Sequence, residues 1–263
     1  LLPFSLGELK DSKLLMQNPY DVIFKGFYPP LYDSEKHFIP DDWFESYIDT
    51  YLDFDVKEHI TATNISTFKK FIQICALYSG QLLSMESISK NIGVSAPTIK
   101  QWLSILESSF IIHFLEPDLN NLGRSIVKTP KLYFTDTGLL CHLLRINSKE
   151  ELLLSPYKGA VVETFAVAEL LKSRYNIGRK PELSFFRDSK GFEVDTIADW
   201  KHTYAIEIKS SSDTEQKLSA NTRKYVSLRE DTQCKGTVFY LGDITCTING
   251  IQYVSWHDWD SLI

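Results

Sequence analysis

The sequence has little cysteine, and what it has is dispersed. Its 4 cysteines are Cys75, Cys141, Cys234 and Cys246, and no two share the short spacing of a zinc or redox motif. They are expected to be free thiols in a reducing compartment. The 6 histidines, His37, His59, His113, His142, His202 and His257, are equally scattered. A histidine-based metal centre therefore has no support, and any metal would sit on carboxylates. Long apolar runs are missing as well. Among the strongest, Phe110-Ile111-Ile112-His113-Phe114-Leu115 is far shorter than the roughly 20 residues that span a bilayer. The first residues, Leu1-Leu2-Pro3-Phe4-Ser5-Leu6, lack the basic region and cleavage site of a secretory signal. The expectation is a cytoplasmic protein with no membrane segment. There is no basic excess, since the net charge is −6, which excludes wholesale electrostatic capture of nucleic acid. Only the middle of the chain is slightly basic. Finally, no Gly-x-x-x-x-Gly-Lys-Ser/Thr occurs, so the loop whose backbone amides cradle nucleotide phosphates is missing.

What is present is a chain of 263 residues with 43% hydrophobic content, enough for one large core or a few small ones. Trp43, Tyr47 and Tyr51 recur at helical spacing, with Phe44, Ile48 and Leu52 beside them, which predicts an amphipathic helix within 41–58. Phe68, Phe71, Ile72 and Cys75 predict a second over 67–78, ended by Ser79-Gly80. A short helix over 85–91, a turn at Gly93 and a helix capped by Ser95 and carrying Ile99, Trp102, Leu103 and Leu106 form a helix-turn-helix signature. The stretches 109–115 and 131–134 would supply the strands of a wing. Downstream, a helix over 159–173, strands over 183–187, 192–199 and 204–209, a helix over 215–228 and a strand over 237–241 imply a mixed sheet with helices packed on it. Asp136 is expected to cap the helix that follows it, Gly138 to meet a backbone requirement, and Tyr51 to lie in the core.

The chemistry concentrates in the last part. In Ile206-Glu207-Ile208-Lys209 the alternation puts Glu207 and Lys209 on one strand face and the isoleucines in the core. Glu193-Val194-Asp195 lies one strand back, where a hairpin would bring Asp195 beside Glu207, and Glu163 is an acid on an otherwise largely apolar helix. A magnesium-type cation takes carboxylate oxygens and retained waters, so Glu163, Asp195 and Glu207 would hold it. Lys209 would orient or help deprotonate an attacking water, or neutralise charge on a phosphorane-like transition state. Bland readings stand beside these. Glu-x-Lys is what any half-exposed strand shows, Glu163 would serve as a helix-surface acid, and Asp195 would end in a solvent-facing ion pair.

Glu on a helix, Asp on a strand and Glu-x-Lys on the next strand resembles the PD-(D/E)XK nuclease superfamily. A wider resemblance runs through Leu1 to Leu9, Gly26-Phe27-Tyr28-Pro29, Tyr51 to Val56, the block Lys128 to Leu139, and Gly159 to Glu163. These look like the prokaryotic AAA-type ATP-binding proteins that carry a C-terminal domain of unknown function. The resemblance implies an α/β (α+β) fold in three parts. Residues 1–80 would be a remnant strand of an ATPase core plus a helical lid-like segment, 81–145 a winged helix, and 146–263 a PD-(D/E)XK restriction-endonuclease-like mixed sheet. It also implies that Leu2 to Ser5 is the last strand of a nucleotide-binding sheet, held here by the winged helix or a neighbouring copy. ATP would then be bound only by the full-length protein. Candidate anion contacts are Lys100 and Gln101 on the recognition helix, with Arg124, Lys128 and Lys131 around the wing. The expected partners are DNA, the protein's own N-terminal ATPase module and further copies of itself. The expected function is the C-terminal portion of a DNA-associated AAA-type ATPase with a magnesium-dependent nuclease-like domain. The alternative is a catalytically inactive nuclease fold that regulates the ATPase or binds other proteins.

Overall fold

The computed structural model describes residues 2–52, 56, 60, 64–119, 126–229 and 233–259. The chain begins with two short helices, α1 (Leu6–Asp11) and α2 (Pro19–Lys25), followed by α3 (Pro40–Tyr51) and α4 (Ile65–Leu77). The two long helices fall where the apolar spacing puts them, with Phe44, Ile48 and Tyr51 of α3 and Phe68, Phe71, Ile72 and Cys75 of α4 buried. After strand β1 (Gln81–Leu82) come α5 (Met85–Ile92) and α6 (Ala96–Ser108). Their local signals are all used. The Ser84 and Ser95 hydroxyls accept from the amides of Ser87 and Thr98, and Gly93 takes the left-handed conformation between the helices at φ 78°.

Strands β2 (Ile112–Pro117) and β3 (Lys131–Phe134) pair antiparallel, as a wing would. They do not stand alone. The other edge of β2 pairs in parallel with β4 (Leu183–Arg187), and the sheet continues through β5 (Glu193–Asp199), β6 (Thr203–Lys209), β7 (Cys234–Tyr240), β9 (Ile251–Ser255) and β8 (Cys246–Ile248). The described residues thus contain one nine-stranded mixed sheet in the order β1-β3-β2-β4-β5-β6-β7-β9-β8. Helices α7 (Thr137–Leu143), α8 (Lys149–Leu154) and α9 (Lys158–Asn176) follow β3, and α10 (Ala220–Leu228) connects β6 to β7. This is the mixed α/β architecture read from the sequence. The core crosses both boundaries drawn in the sequence. One cluster of buried side chains joins Phe27, Phe68, Trp102, Leu132, Phe165, Phe239 and Trp259. The continuous sheet is the reason, since it leaves the helix-turn-helix no hydrophobic face of its own to close.

Asp136 caps α7, accepting from the Leu139 amide at 2.7 Å, and also accepts from the Phe27 amide at 2.6 Å. The same clamp explains Gly138. A β-carbon there would lie 2.6 Å from the Lys25 carbonyl oxygen and 2.8 Å from the Gly26 α-carbon, so α2 approaches the start of α7 more closely than any side chain allows.

The N-terminal segment departs from expectation. Residues 2–5 form no strand and are not held by the helix-turn-helix. The Phe4 amide donates to the Phe27 carbonyl at 2.9 Å, the Lys172 ammonium donates to the Phe4 carbonyl at 2.7 Å, and the Leu6 amide donates to Glu169 Oε2 at 2.7 Å. Helix α9 therefore anchors it. Glu169 and Lys172 are one helical turn apart and each is 1% exposed, so a buried ion pair serves as the docking point.

His113 on β2 gives a pH dependence. Burial pushes its imidazole down to about 4, against about 6.5 in an unfolded chain. The folded state holds it neutral, so its contribution is present above pH ~6.5 and lost as pH falls toward ~4, by on the order of 3 kcal/mol. Melting temperatures measured from pH 7 to pH 4.5 are expected to fall in the wild type and to fall less in His113→Phe. Equal slopes would assign the acid sensitivity to other groups.

Candidate functional site

Strands β5 and β6 pair antiparallel with Thr196 opposite Ile206. Continuing that register sets Asp195 opposite Glu207, which is the juxtaposition the alternating pattern implied. Ile206 and Ile208 are buried as expected, and the Lys209 ammonium donates to Glu207 Oε1 at 2.7 Å. Glu207 is not on a half-exposed face, since only 5% of it is accessible. Its second carboxylate oxygen, Oε2, is buried with no hydrogen-bond partner among the described groups. Asp195 Oδ2 accepts from the Ile208 amide at 2.8 Å.

Glu163 reaches this region from α9, and two residues of β3 meet it there. The Lys131 ammonium donates to Glu163 Oε1 at 2.9 Å and the Tyr133 hydroxyl donates to the same oxygen at 2.5 Å. Lys131 also pairs with Glu193 Oε1 at 2.5 Å, and Arg187 at the end of β4 pairs with Glu193 Oε2 at 3.1 Å. The result is a cluster of carboxylates, Glu163, Glu193, Asp195 and Glu207, laced by Lys131, Lys209 and Arg187.

The electrostatics follow from crowding. Burial raises the Asp195 carboxyl well above the ordinary range, the nearby charges of Glu163 and Glu207 raise it further, and Lys131 and the Ile208 amide oppose both. Burial also raises Glu207, against the pull of Lys209. Acids held above their usual range beside a buried cation are a common property of functional sites.

The sequence-selected residues divide into two groups. Glu163, Asp195, Glu207 and Lys209 are brought into one neighbourhood. The nucleic-acid candidates are not. Lys100 and Gln101 are exposed on α6, Lys128 is exposed before β3, and Arg124 lies outside the described residues. Lys131 requires correction, because it is only 2% exposed and its ammonium is held by two carboxylates. It is a member of the acidic cluster and not a surface phosphate contact. Sequence reasoning missed Tyr133 and Glu193. The signal was there, since Lys131-x-Tyr133 and Glu193-x-Asp195 each carry the two-residue period that puts both side chains on one strand face.

A magnesium-type ion is what this chemistry suggests, and the residues fit it in part. Asp195 and Glu207 fit, one carrying crowded negative charge and the other a buried, unpartnered oxygen. Glu163 is already engaged through Oε1, which accepts from both Lys131 and Tyr133, and has only its other oxygen to offer. Among the described residues no three His, Cys, Asp or Glu side chains are gathered to hold a metal. Two carboxylates are sufficient for magnesium, which keeps most of its waters and takes further oxygens from substrate phosphate.

Two family models match the chain. Residues 158–259, which contain Glu163, Asp195, Glu207 and Lys209, match the family described as domain of unknown function DUF4143. Uncharacterized proteins of Mycobacterium bovis and Mycobacterium tuberculosis are each 28% identical over 189 residues, covering 72% of this chain and 42% of their own length. The chain thus spans less than half the length of the curated relatives it matches. No described helix is long and apolar enough to cross a membrane. Residues 16–150, more than half of the chain, match a second family model, and on that match the protein belongs to the family described as domain of unknown function DUF8612.

Proposed function

We propose that this chain is the C-terminal portion of an AAA-type ATPase and that its sheet carries a PD-(D/E)XK-like, cation-dependent site acting on the phosphodiester backbone of DNA. The observation that carries the reading is the buried, unpartnered Oε2 of Glu207 opposite Asp195, with the Lys209 ammonium 2.7 Å from the other Glu207 oxygen. A buried charged oxygen without a partner is costly unless a cation or water completes it. A magnesium-class ion there would polarise a phosphate and acidify a bound water. Asp195 and Glu207 would hold it. Lys209 keeps an ammonium at the same place, where it steadies a nucleophilic water or the negative charge of the phosphorane-like transition state. Glu163 acts at one remove, fixing Lys131 and Tyr133.

The ATPase assignment rests on the resemblance of the motif blocks and on the match of residues 158–259 to DUF4143, a domain commonly found alongside AAA ATPases. ATP would be bound by a module outside this sequence, which has no phosphate-cradling loop. A cytoplasmic location and assembly with further copies belong to the same reading.

Calorimetric titration of this chain with magnesium and manganese, run beside a plasmid-nicking assay, tests the proposal. Binding and cation-dependent nicking that both vanish in Asp195→Ala would support it. Absence of binding at millimolar cation together with absence of cation-dependent nicking would sink it in favour of a second reading, which one observation already favours. Lys131 neutralises the cluster from within, as it would in a nuclease fold retained to regulate the ATPase or bind another protein.

A further inference from the structure

Four carboxylates, Glu163, Glu193, Asp195 and Glu207, meet three cations, Lys131, Lys209 and Arg187, and two of the cations have evident places. Lys209 belongs to Glu207 on its own strand, and Arg187 lies at the rim, where it is 37% exposed and pairs with Glu193 across the β4–β5 hairpin. Lys131 is different. It is fully enclosed, arrives from a strand on the far side of β2 and β4, and spends its donors on Glu163 and Glu193. It also stands 5.4 Å above the Phe185 ring, which favours a cation at that point. With every group ionised the cluster carries a single net negative charge. A divalent ion entering it would leave the site positive, at short range and in a medium that screens poorly.

We infer that Lys131 is the resident counter-cation of the acidic cluster and that a divalent ion binds at Asp195 and Glu207 only in competition with it. This rests on the proposed cation site and adds its regulation. While Lys131 is seated the site is closed to adventitious metal, and it opens when the ammonium swings away or when an anionic phosphodiester arrives with the ion and restores the charge balance. Tyr133 and Arg187 are arranged for such a switch, because each keeps a hold on the carboxylate that Lys131 would release, Tyr133 on Glu163 and Arg187 on Glu193. The lysine can leave without stranding either acid.

The distinguishing measurement is manganese affinity by calorimetry at fixed pH in the wild type, Lys131→Met and the double variant Lys131→Met/Asp195→Ala. Lys131→Met is expected to bind manganese at least tenfold more tightly than the wild type, and the double variant to lose that gain. If the wild type binds and Lys131→Met binds no more tightly, the competition is refuted while the cation site stands. If neither binds, both ideas fall. Should Lys131→Met not fold, reductive methylation of the wild type decides the matter. Mass spectrometry should find Lys131 protected without metal and modified at saturating manganese. Protection that persists at saturation overturns the inference.

Discussion

Asparagine at position 195 is expected to raise the melting temperature at pH 8 while abolishing cation binding. Most substitutions of a half-buried polar residue destabilise, so the sign is the informative part. The folded-state pKa of Asp195 is raised above the unfolded value by burial and by Glu163 and Glu207. A raised carboxyl contributes favourably below its unfolded value of about 3.9, and that contribution is lost as pH rises through the folded value. At neutral pH the acid at position 195 is therefore a cost to stability. Asparagine removes the charge and keeps an acceptor for the Ile208 amide, which donates to Oδ2 at 2.8 Å in the wild type. The gain should be on the order of 1–3 kcal/mol at pH 8 and should shrink to nothing below pH ~4, where the wild-type carboxyl is protonated. Thermal melts across that range check it. An asparagine variant that is less stable at every pH would mean that Lys131 more than compensates the charge, and that Asp195 is structural.

The opposite sign is expected at the other buried ion pair. Lys172→Met should lower stability by roughly 3–5 kcal/mol, the usual effect of removing one partner of an enclosed pair. Three interactions end together. The ammonium pairs with Glu169, donates to the Phe4 carbonyl at 2.7 Å and stands 3.8 Å over the Phe27 ring. Phe27 in turn receives Phe4 through its carbonyl and gives its amide to Asp136. The loss should therefore be accompanied by faster amide exchange at Phe4 and Leu6. Adding Glu169→Gln to Lys172→Met removes the stranded charge and is expected to restore part of the stability, by the double-mutant logic that isolates a pair from its surroundings. A double variant as unstable as the sum of the two single ones would show that the pair is not what holds the N-terminal segment.

The two buried pairs explain why some readings of the sequence succeeded and others did not. The caps at Ser84, Ser95 and Asp136 act over three residues, and the amides they satisfy lie within the same turn of chain. The periodicity of α3, α4 and β6 is equally local. Lys131 looked like a surface cation because the residues before it, Lys128 and Thr129, are exposed and nothing nearby carries opposite charge. Its partners are 32 residues away on α9 and one hairpin further on β5. The N-terminal segment looked like a strand held by the winged helix or a neighbouring copy for the same reason, since the group that holds Leu6 is 163 residues distant.

The sequence alone determined most of the secondary elements between residues 41 and 241, the choice of Glu163, Asp195, Glu207 and Lys209 as one chemical set, and the absence of a phosphate loop. Each of these is written in spacing, and spacing acts through local backbone geometry. Tertiary structure alone decided that the strands after the helix-turn-helix and the strands of the C-terminal part are one sheet, that Glu163 Oε1 accepts from Lys131 and Tyr133, and that Glu207 Oε2 is buried with no partner among the described groups. Those are outcomes of pairing between distant strands and of the charge that pairing encloses. A pattern of residues fixes which face a side chain takes, but only the packed chain fixes what waits on the other side.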